Sequence, residues 1–304
     1  MVAATTPALA SGLTWNLGDD LRQLFAFHFM VNAFRAGTVV AVAAAVLGWF
    51  MVLRRQSFAG HTFALVAFPG AAGATLVGLS ATAGYFVAPV AAAVVIAMVP
   101  RTGTGTGYSG ESAVVGTVQA FALAAGALFV SLYGGFLNGI TALLFGTFLG
   151  ISDGQVLTLT LVAVGALAVL AVIARPLFFA TVDPDVARAR GVPTRVVAFV
   201  YLLLLACAAA EVSQITGVLL VFALLVMPAA AAQQLTARPG RSLALAIALG
   251  LGVTWLGLGV GYFSPYPVGF WVTTFGFATY VVAVGGRALA TRRARRVRGH
   301  VRVA

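Results

Sequence analysis

The chain of 304 residues contains no lysine, which excludes a P-loop ATPase, because a Walker A loop uses its lysine to reach the nucleotide phosphates. Charged residues of every kind are scarce, at 8%, whereas a soluble domain has about 25%. Hydrophobic residues make up 61% of the chain, and its mean hydropathy is +1.04. So few charges cannot cover a water-facing surface, and we therefore expect lipid to surround most of the protein.

Catalytic signatures are missing as well. The sequence has no Cys-x-x-Cys, no His-Glu-x-x-His and no Gly-x-Ser-x-Gly motif. Asp153, Asp183 and Asp185 fall in predicted loops, which argues against an intramembrane aspartyl protease. The single cysteine, Cys207, excludes a disulfide within the chain, and its apolar surroundings predict a small buried residue. We therefore expect a protein that is not an enzyme.

The net charge of +11 comes from arginines in short loops and in a tail between Arg287 and Arg302. In a soluble protein this charge would suggest nucleic-acid binding. Beside apolar spans it is typical of the positive-inside rule, so we interpret the arginines as cytoplasmic anchors and expect no nucleic-acid partner. Arg35 is the exception. It lies near the outer end of the first predicted span, and its side chain is expected to snorkel towards the outer membrane surface.

Apolar segments of about 20 residues predict the membrane spans. Their lack of period-2 alternation favours helices over a barrel. The candidates are 33–53, 58–79, 84–99, 112–133, 156–174, 196–211, 213–235, 243–262 and 268–287. A shorter stretch at 136–150 is interpreted as re-entrant or interfacial, because a crossing there would put the arginine-rich loop 175–195 on the wrong side. The prediction is an all-α polytopic bundle of about 8–9 transmembrane helices in a cell membrane, with an extracytoplasmic lead-in at 1–32 and a basic cytoplasmic tail at 288–304.

Ionisable and amide side chains at membrane depth are candidate functional groups, because they are costly there. Glu211 either lines a cavity or caps an outer loop between two spans, and the sequence leaves both open. Glu111 is interpreted as a helix cap, and His28, Gln233 and Gln234 as interfacial residues. Prolines and glycines predict breaks in two spans, which indicate either a substrate pathway or packing kinks. These residues are Gly60, Pro69, Gly70 and Pro228.

A recognisable series of blocks runs along the chain. Residues 53–70 read LRRQSFAGHTFALVAFPG, and further blocks follow at 109–116, 144–150, 183–191, 217–220 and 228–232. In order and spacing over residues 33–290, they resemble the permease subunits of zinc and manganese ABC importers. The resemblance implies a homodimer of permeases, a separate cytoplasmic ATPase that hydrolyses ATP, and an extracytoplasmic metal-binding protein. It further implies that loop 175–195 presents a short helix to the ATPase.

The residues of that coupling helix are taken from the same resemblance. Asp183 and Pro184 suit a helix start, and Gly191 suits a stop. The residues expected to couple to the ATPase are Asp183, Asp185, Arg188, Arg190 and Gly191.

The resemblance also implies where the metal is bound, and there the sequence departs from the family. The family has an Asp and, four residues later, a His that contact the metal, whereas this chain has His61 and Leu65. Imidazole suits Zn²⁺ and carboxylate suits Mn²⁺, and leucine cannot ligate. Either Glu211 and Gln214 complete a site with His61, or the cargo is another small solute such as a chelated metal, or the chain is a non-transporting scaffold. No tightly bound cofactor is expected, since the metal would be the transported substrate.

Overall fold

The computed structural model describes residues 17–98, 108–132, 150–218 and 221–301, and these residues form helices with no strand among them. The helices in chain order are α1 Leu17–Phe25, α2 His28–Leu53, α3 Ser57–Leu76, α4 Ala81–Met98, α5 Tyr108–Leu132, α6 Asp153–Val182, α7 Pro184–Ala189, α8 Thr194–Thr216, α9 Val221–Leu225, α10 Met227–Leu235, α11 Pro239–Phe263 and α12 Val268–Val301. This confirms the predicted all-α polytopic fold.

In the described part of the chain, seven helices are long and apolar enough to cross a membrane: α2, α4, α5, α6, α8, α11 and α12. The other two predicted spans correspond to α3, which contains His61 and Pro69, and to the short pair α9 and α10. Helix α2 begins at His28, five residues before the predicted start, so the lead-in is shorter than expected.

The predicted boundary between two spans near residue 212 was wrong. Helix α8 continues through Glu211 to Thr216 and ends at Gly217, whose φ of 79° suits a glycine. The helix tolerates its polar residues because Ser213 and Thr216 donate hydrogen bonds to the carbonyl oxygens of Ala209 and Val212, one turn earlier. The predicted span 213–235 is therefore reduced to α9 and α10.

Polar contacts show that α2 and α6 run in the same direction. His28 Nε2 lies 3.1 Å from Asp153 Oδ2 at the start of both helices. At their other ends, Arg54 Nη1 donates to Thr181 Oγ1 at 3.1 Å. We name the level of Arg54 and Arg55 the arginine end of the bundle and the level of His28 and Asp153 the opposite end.

The arginine-bearing loops of the described residues gather at the arginine end. Loop 183–191 follows Thr181, which contacts Arg54. Trp49 donates to Ser242, next to Arg241, and Arg287 donates to Gln234 beside the end of α10. Helix α11 then reaches the opposite end, where the rings of Tyr262 and Phe27 are 6.3 Å apart. Arg101 lies outside the described residues.

Helix directions also bear on the predicted re-entrant segment 136–150, which lies almost wholly outside the described residues. Thr62 donates to Gln119, and Gly73 approaches Phe129, so α5 runs parallel to α3 and finishes at the opposite end. Helix α6 starts at Asp153 at that same end. Helix α5 therefore ends and α6 begins on the same side of the bundle, and the segment 136–150 stays a prediction.

Helix α8 lies at the centre of the bundle and packs against α2, α3, α4 and α6. The Tyr201 hydroxyl donates to the Leu47 carbonyl at 2.8 Å, which ties α8 to α2. Small residues allow helices to approach closely, as where a Cβ on Gly48 would meet the carbonyl oxygen of Leu225. Helix α8 also contacts the short helix α9.

Candidate functional site

His61 is the fifth residue of α3 and is partly buried. Its ring stacks on Phe222 of α9, with 4.7 Å between ring centroids and 29° between planes. Its Nδ1 is buried and has no hydrogen-bond partner in the described structure. A histidine that serves only in packing normally has its buried nitrogen hydrogen-bonded. His61 therefore has the free donor atom that a metal ligand needs.

Leu65 lies one turn after His61 and is 7% exposed. It packs in an apolar cluster formed by α3, α4 and the end of α8, whose other members are Ala67, Phe68, Ala71, Tyr85 and Val218. The position at which the resemblance implies a second ligand is thus occupied by a packed aliphatic side chain.

Glu211 lies inside α8, five residues before its end, and is 1% exposed. Neither carboxylate oxygen has a hydrogen-bond partner among the described residues. The interpretation as a loop cap is wrong, because α8 continues past Glu211. An ionised carboxylate without a partner is expensive to bury, and at membrane depth such a group marks a functional site.

Gln214 lies three residues after Glu211 and therefore on the same face of α8. It is partly buried, and its Nε2 has no partner in the described structure. Its neighbour Ser213 differs, since that hydroxyl donates to the Ala209 carbonyl at 2.6 Å. The two polar residues thus differ, because the Ser213 hydroxyl is satisfied inside the helix whereas the Gln214 amide nitrogen is not.

The three predicted metal contacts share an unusual property. In the part of the chain whose side chains are described, only five residues have buried polar atoms without a partner: Asn32, His61, Glu211, Gln214 and Trp271. Three of these five are the predicted contacts. Among the described residues, no group of three or more His, Cys, Asp or Glu side chains could hold a metal ion.

Comparison with known proteins identifies the fold and the family. The model of the ABC 3 transport family matches residues 26–286. The chain belongs to the ABC 3 transport family. This confirms the resemblance on which the sequence analysis relied.

Individual relatives of this ABC 3 chain carry metal-transport names. The manganese transport system membrane protein MntC of Halalkalibacterium halodurans is 27% identical over 223 residues, covering 73% of this chain and 75% of the relative. The chelated iron transport system membrane protein YfeC of Yersinia pestis is 31% identical over 226 residues, covering 74% and 75%.

Two solved structures share the fold. PsaBC from Streptococcus pneumoniae in complex with Fab matches with a TM-score of 0.77 and 23% identity, over 88% of this chain and 95% of that one. An inward-facing conformation of a putative metal-chelate type ABC transporter matches with a TM-score of 0.67 and 16% identity, over 87% and 89%. At these identities the likeness establishes the fold alone.

Of the two predicted helix breaks in this ABC 3 chain, one is present and one is absent. At Pro228 the break is present, because α9 ends at Leu225 and α10 begins at Met227. At Pro69 it is absent, because α3 stays helical from Ser57 to Leu76. Gly70 packs against Gly84 of α4 and Gly60 against Met51, so both glycines permit close contacts between helices instead of opening α3.

The short helix expected within 175–195 is present as α7, but the predicted loop bounds were wrong, because residues 175–182 belong to α6. Asp183 Oδ1 accepts a hydrogen bond from the Val186 amide at 3.0 Å, Pro184 opens α7, and Gly191 follows it with a φ of 81°. Asp185 and Arg188 form an exposed ion pair of 3.3 Å, and Arg190 is exposed. These side chains form a polar, accessible surface at the arginine end.

Other polar residues serve structural contacts. His28 is exposed and pairs with Asp153, and Gln233 donates to the Trp49 carbonyl at 2.8 Å. Gln234 accepts from Arg287 at 2.7 Å. The side chain of Glu111 lies outside the described residues.

Cys207 was missed by the sequence analysis, which treated it as a buried small residue. It is only partly buried and lies in α8 four residues before Glu211. The spacing of four residues was the available signal, because it places both side chains on one helix face.

Proposed function

We propose that this chain is the membrane-spanning subunit of an ABC importer for a divalent metal ion, zinc or manganese, and that it forms the translocation pathway. The observation that carries the proposal is the set of unpartnered polar atoms on His61, Glu211 and Gln214, inside a bundle that is otherwise apolar. Imidazole nitrogen and carboxylate oxygen are ligands that these metals accept. The unpartnered atom of Gln214 is its amide nitrogen, so Gln214 would bind a metal through the other amide atom, the oxygen. Family membership supports a transport role. The sequence has no Walker A lysine, so ATP hydrolysis is assigned to a separate subunit.

An open arrangement of ligands suits transport better than a closed cage. A transported ion has to leave each position that it occupies, so binding that is favourable yet weak allows movement. His61 on α3 and Glu211 with Gln214 on α8 provide such separate positions. The metal is the substrate of this pathway and not a resident cofactor.

A chelated metal is the second candidate cargo. Leu65 supplies no ligand where the family pattern has one, and a relative that is 31% identical is named for chelated iron. A chelate brings its own ligands and would need fewer from the protein.

The ATPase is proposed to bind at the arginine end, which we assign to the cytoplasm by the positive-inside rule. Helix α7 supplies the contact, because its charged side chains are exposed while Ala187 is buried against the bundle. An extracytoplasmic metal-binding protein would then deliver its cargo at the opposite end, and two copies of the chain would form a homodimer. The C-terminal end of α12 lies on the cytoplasmic side in this arrangement.

Metal analysis of cells that lack the protein tests the proposed function. Cellular zinc or manganese should fall when the external metal is limiting, and re-expression should restore it. Unchanged zinc, manganese, iron and copper would contradict an import role.

Sidedness can be tested with single cysteines in a Cys207→Ser background. Thr194 starts α8 at the arginine end, and Ser264 follows α11 at the opposite end. In intact cells, a membrane-impermeant maleimide should label Ser264→Cys and spare Thr194→Cys. Labelling of both from outside would rule out the proposed orientation.

Coupling to the ATPase can be tested at Gly191. Its φ of 81° strains most side chains other than asparagine, although a Cβ there would meet no atom within 4 Å. We expect Gly191→Trp to insert normally but to lose metal-stimulated ATPase activity, because it displaces the end of α7 and obstructs its surface. Gly191→Asn is the matched control, since asparagine tolerates the left-handed conformation, and it should retain most of the coupling. Wild-type coupling in Gly191→Trp would argue against a contact role for α7.

A further inference from the structure

We propose that Cys207 is an additional metal ligand on α8 and that it gives the pathway a preference for zinc and other thiophilic divalent ions over manganese. This inference rests on the proposed function, because it assumes that a metal ion passes along α8. The thiol belongs to a series of three polar residues on one helix face, Cys207, Glu211 and Gln214.

The geometry of that face places the thiol and the carboxylate within reach of one ion. Residues four apart on a helix lie on the same side, and two ligands at this spacing can hold a single zinc ion. Cys207 is about 6 Å nearer the arginine end than Glu211, and Gln214 is about 4.5 Å beyond Glu211. Glu211 can therefore share an ion with Gln214 first and with Cys207 next, as the ion moves inward.

The surroundings of Glu211 suit a bound cation. The carboxylate is 1% exposed and has no hydrogen-bond partner on either oxygen in the described structure, and Glu211 lies one turn after Cys207 on the same face of α8. The intervening residues of α8 are alanines, so this helix offers no other polar group between the two. A buried carboxylate of this kind is stabilised when a positive ion binds beside it.

The chemistry of sulfur determines which ion is favoured. Thiolate ligands select zinc and copper(I), whereas manganese prefers oxygen ligands. A cysteine binds metal as the thiolate, so its proton is released when the ion binds. With His61, whose imidazole also suits zinc, Cys207 shifts the donor set away from manganese.

The protein has a single cysteine, so a thiol reagent reports on Cys207 alone. We would measure the rate at which N-ethylmaleimide modifies the full chain in lipid nanodiscs. Saturating Zn²⁺ should slow the reaction by about tenfold or more, because a zinc-bound sulfur is not free to attack the reagent. The size is set by analogy with residues that support a metal ligand, whose substitution changes metal affinity by about 10–100-fold. Mn²⁺ at the same concentration should leave the rate unchanged. In Glu211→Gln, Zn²⁺ should no longer protect the thiol.

A matched control uses Leu203→Cys in a Cys207→Ser background. Leu203 lies on the same face of α8, is also partly buried, and is two turns from Glu211. Zn²⁺ should not affect its labelling. Equal protection of this cysteine, equal protection of Cys207 by Mn²⁺, or no protection of Cys207 by Zn²⁺ would each overturn the inference.

Metal uptake provides a second measurement, which does not depend on whether N-ethylmaleimide reaches Cys207. Cys207→Ser should lower the ratio of zinc to manganese uptake by about tenfold, and an unchanged ratio would overturn the inference. Intact zinc uptake without protection of Cys207 contradicts this inference alone. The absence of both zinc and manganese uptake contradicts the proposed function.

Discussion

Replacing His61 with alanine is expected to reduce metal uptake by about 100-fold or more while the protein still inserts into the membrane. The imidazole has a buried Nδ1 without a partner and is held in place by stacking on Phe222. Its loss removes the proposed ligand and breaks no hydrogen bond at the buried Nδ1, which has none in the described structure. Uptake of zinc and manganese by cells that express equal amounts of the two proteins measures the effect.

Two further substitutions separate ligand and packing roles at His61. Glutamine has a similar size, so it would preserve uptake if the histidine only fills space, whereas a ligand role predicts a loss close to that of alanine. Aspartate supplies a harder ligand and should shift preference towards manganese. Wild-type uptake with unchanged selectivity in His61→Gln would end the ligand hypothesis for this residue.

Replacing Glu211 with methionine is expected to abolish uptake and yet leave the protein as stable as before, or more stable. Glu211 is 1% exposed with both oxygens unpartnered, so methionine of similar length removes an unsatisfied group, which typically costs about 1–3 kcal/mol. A residue kept for structural reasons would show the opposite sign. Thermal unfolding in detergent and metal uptake in cells should be measured on the same variant.

Ser213→Ala is the matched control for Glu211. Ser213 is equally buried on α8, but its hydroxyl is satisfied by the Ala209 carbonyl. We expect normal uptake and little change in stability. Destabilisation of Glu211→Met together with normal uptake would show that the carboxylate stabilises the bundle and does not contact cargo.

The sequence predicted the long helices well, because bilayer thickness dictates their length and the arginines determine their direction. Helices α2 and α6 lie parallel, as the interpretation of 136–150 required. Boundaries within apolar sequence were harder to place. The polar residues near Glu211 resemble a loop in the sequence. Helix α8 nevertheless continues to Thr216, because the Ser213 and Thr216 hydroxyls donate to carbonyl oxygens of the same helix.

Proline alone did not reveal which helices break. Pro69 lies inside α3, which packs against α4, α5 and α8, whereas the chain near Pro228 divides into α9 and α10. Both prolines remove one backbone hydrogen bond, and tertiary packing decides the outcome. The predicted break in α3 failed for this reason.

The candidate site was only partly accessible to sequence analysis. Ligand chemistry identified His61, Glu211 and Gln214, but their burial and lack of partners depend on the packing of α3, α8 and α9. Cys207 was overlooked because a lone cysteine in an apolar segment resembles any small core residue. Its relation to Glu211 follows once α8 is known to be continuous.

The central claim is that this chain forms a metal pathway driven by a separate ATPase. Its most direct test is ATP-dependent metal accumulation in vesicles that contain the chain and its ATPase, supplied with the loaded binding protein. We predict accumulation of zinc or manganese by the wild-type chain and none by His61→Ala. Robust ATP hydrolysis without accumulation of either metal would contradict the account.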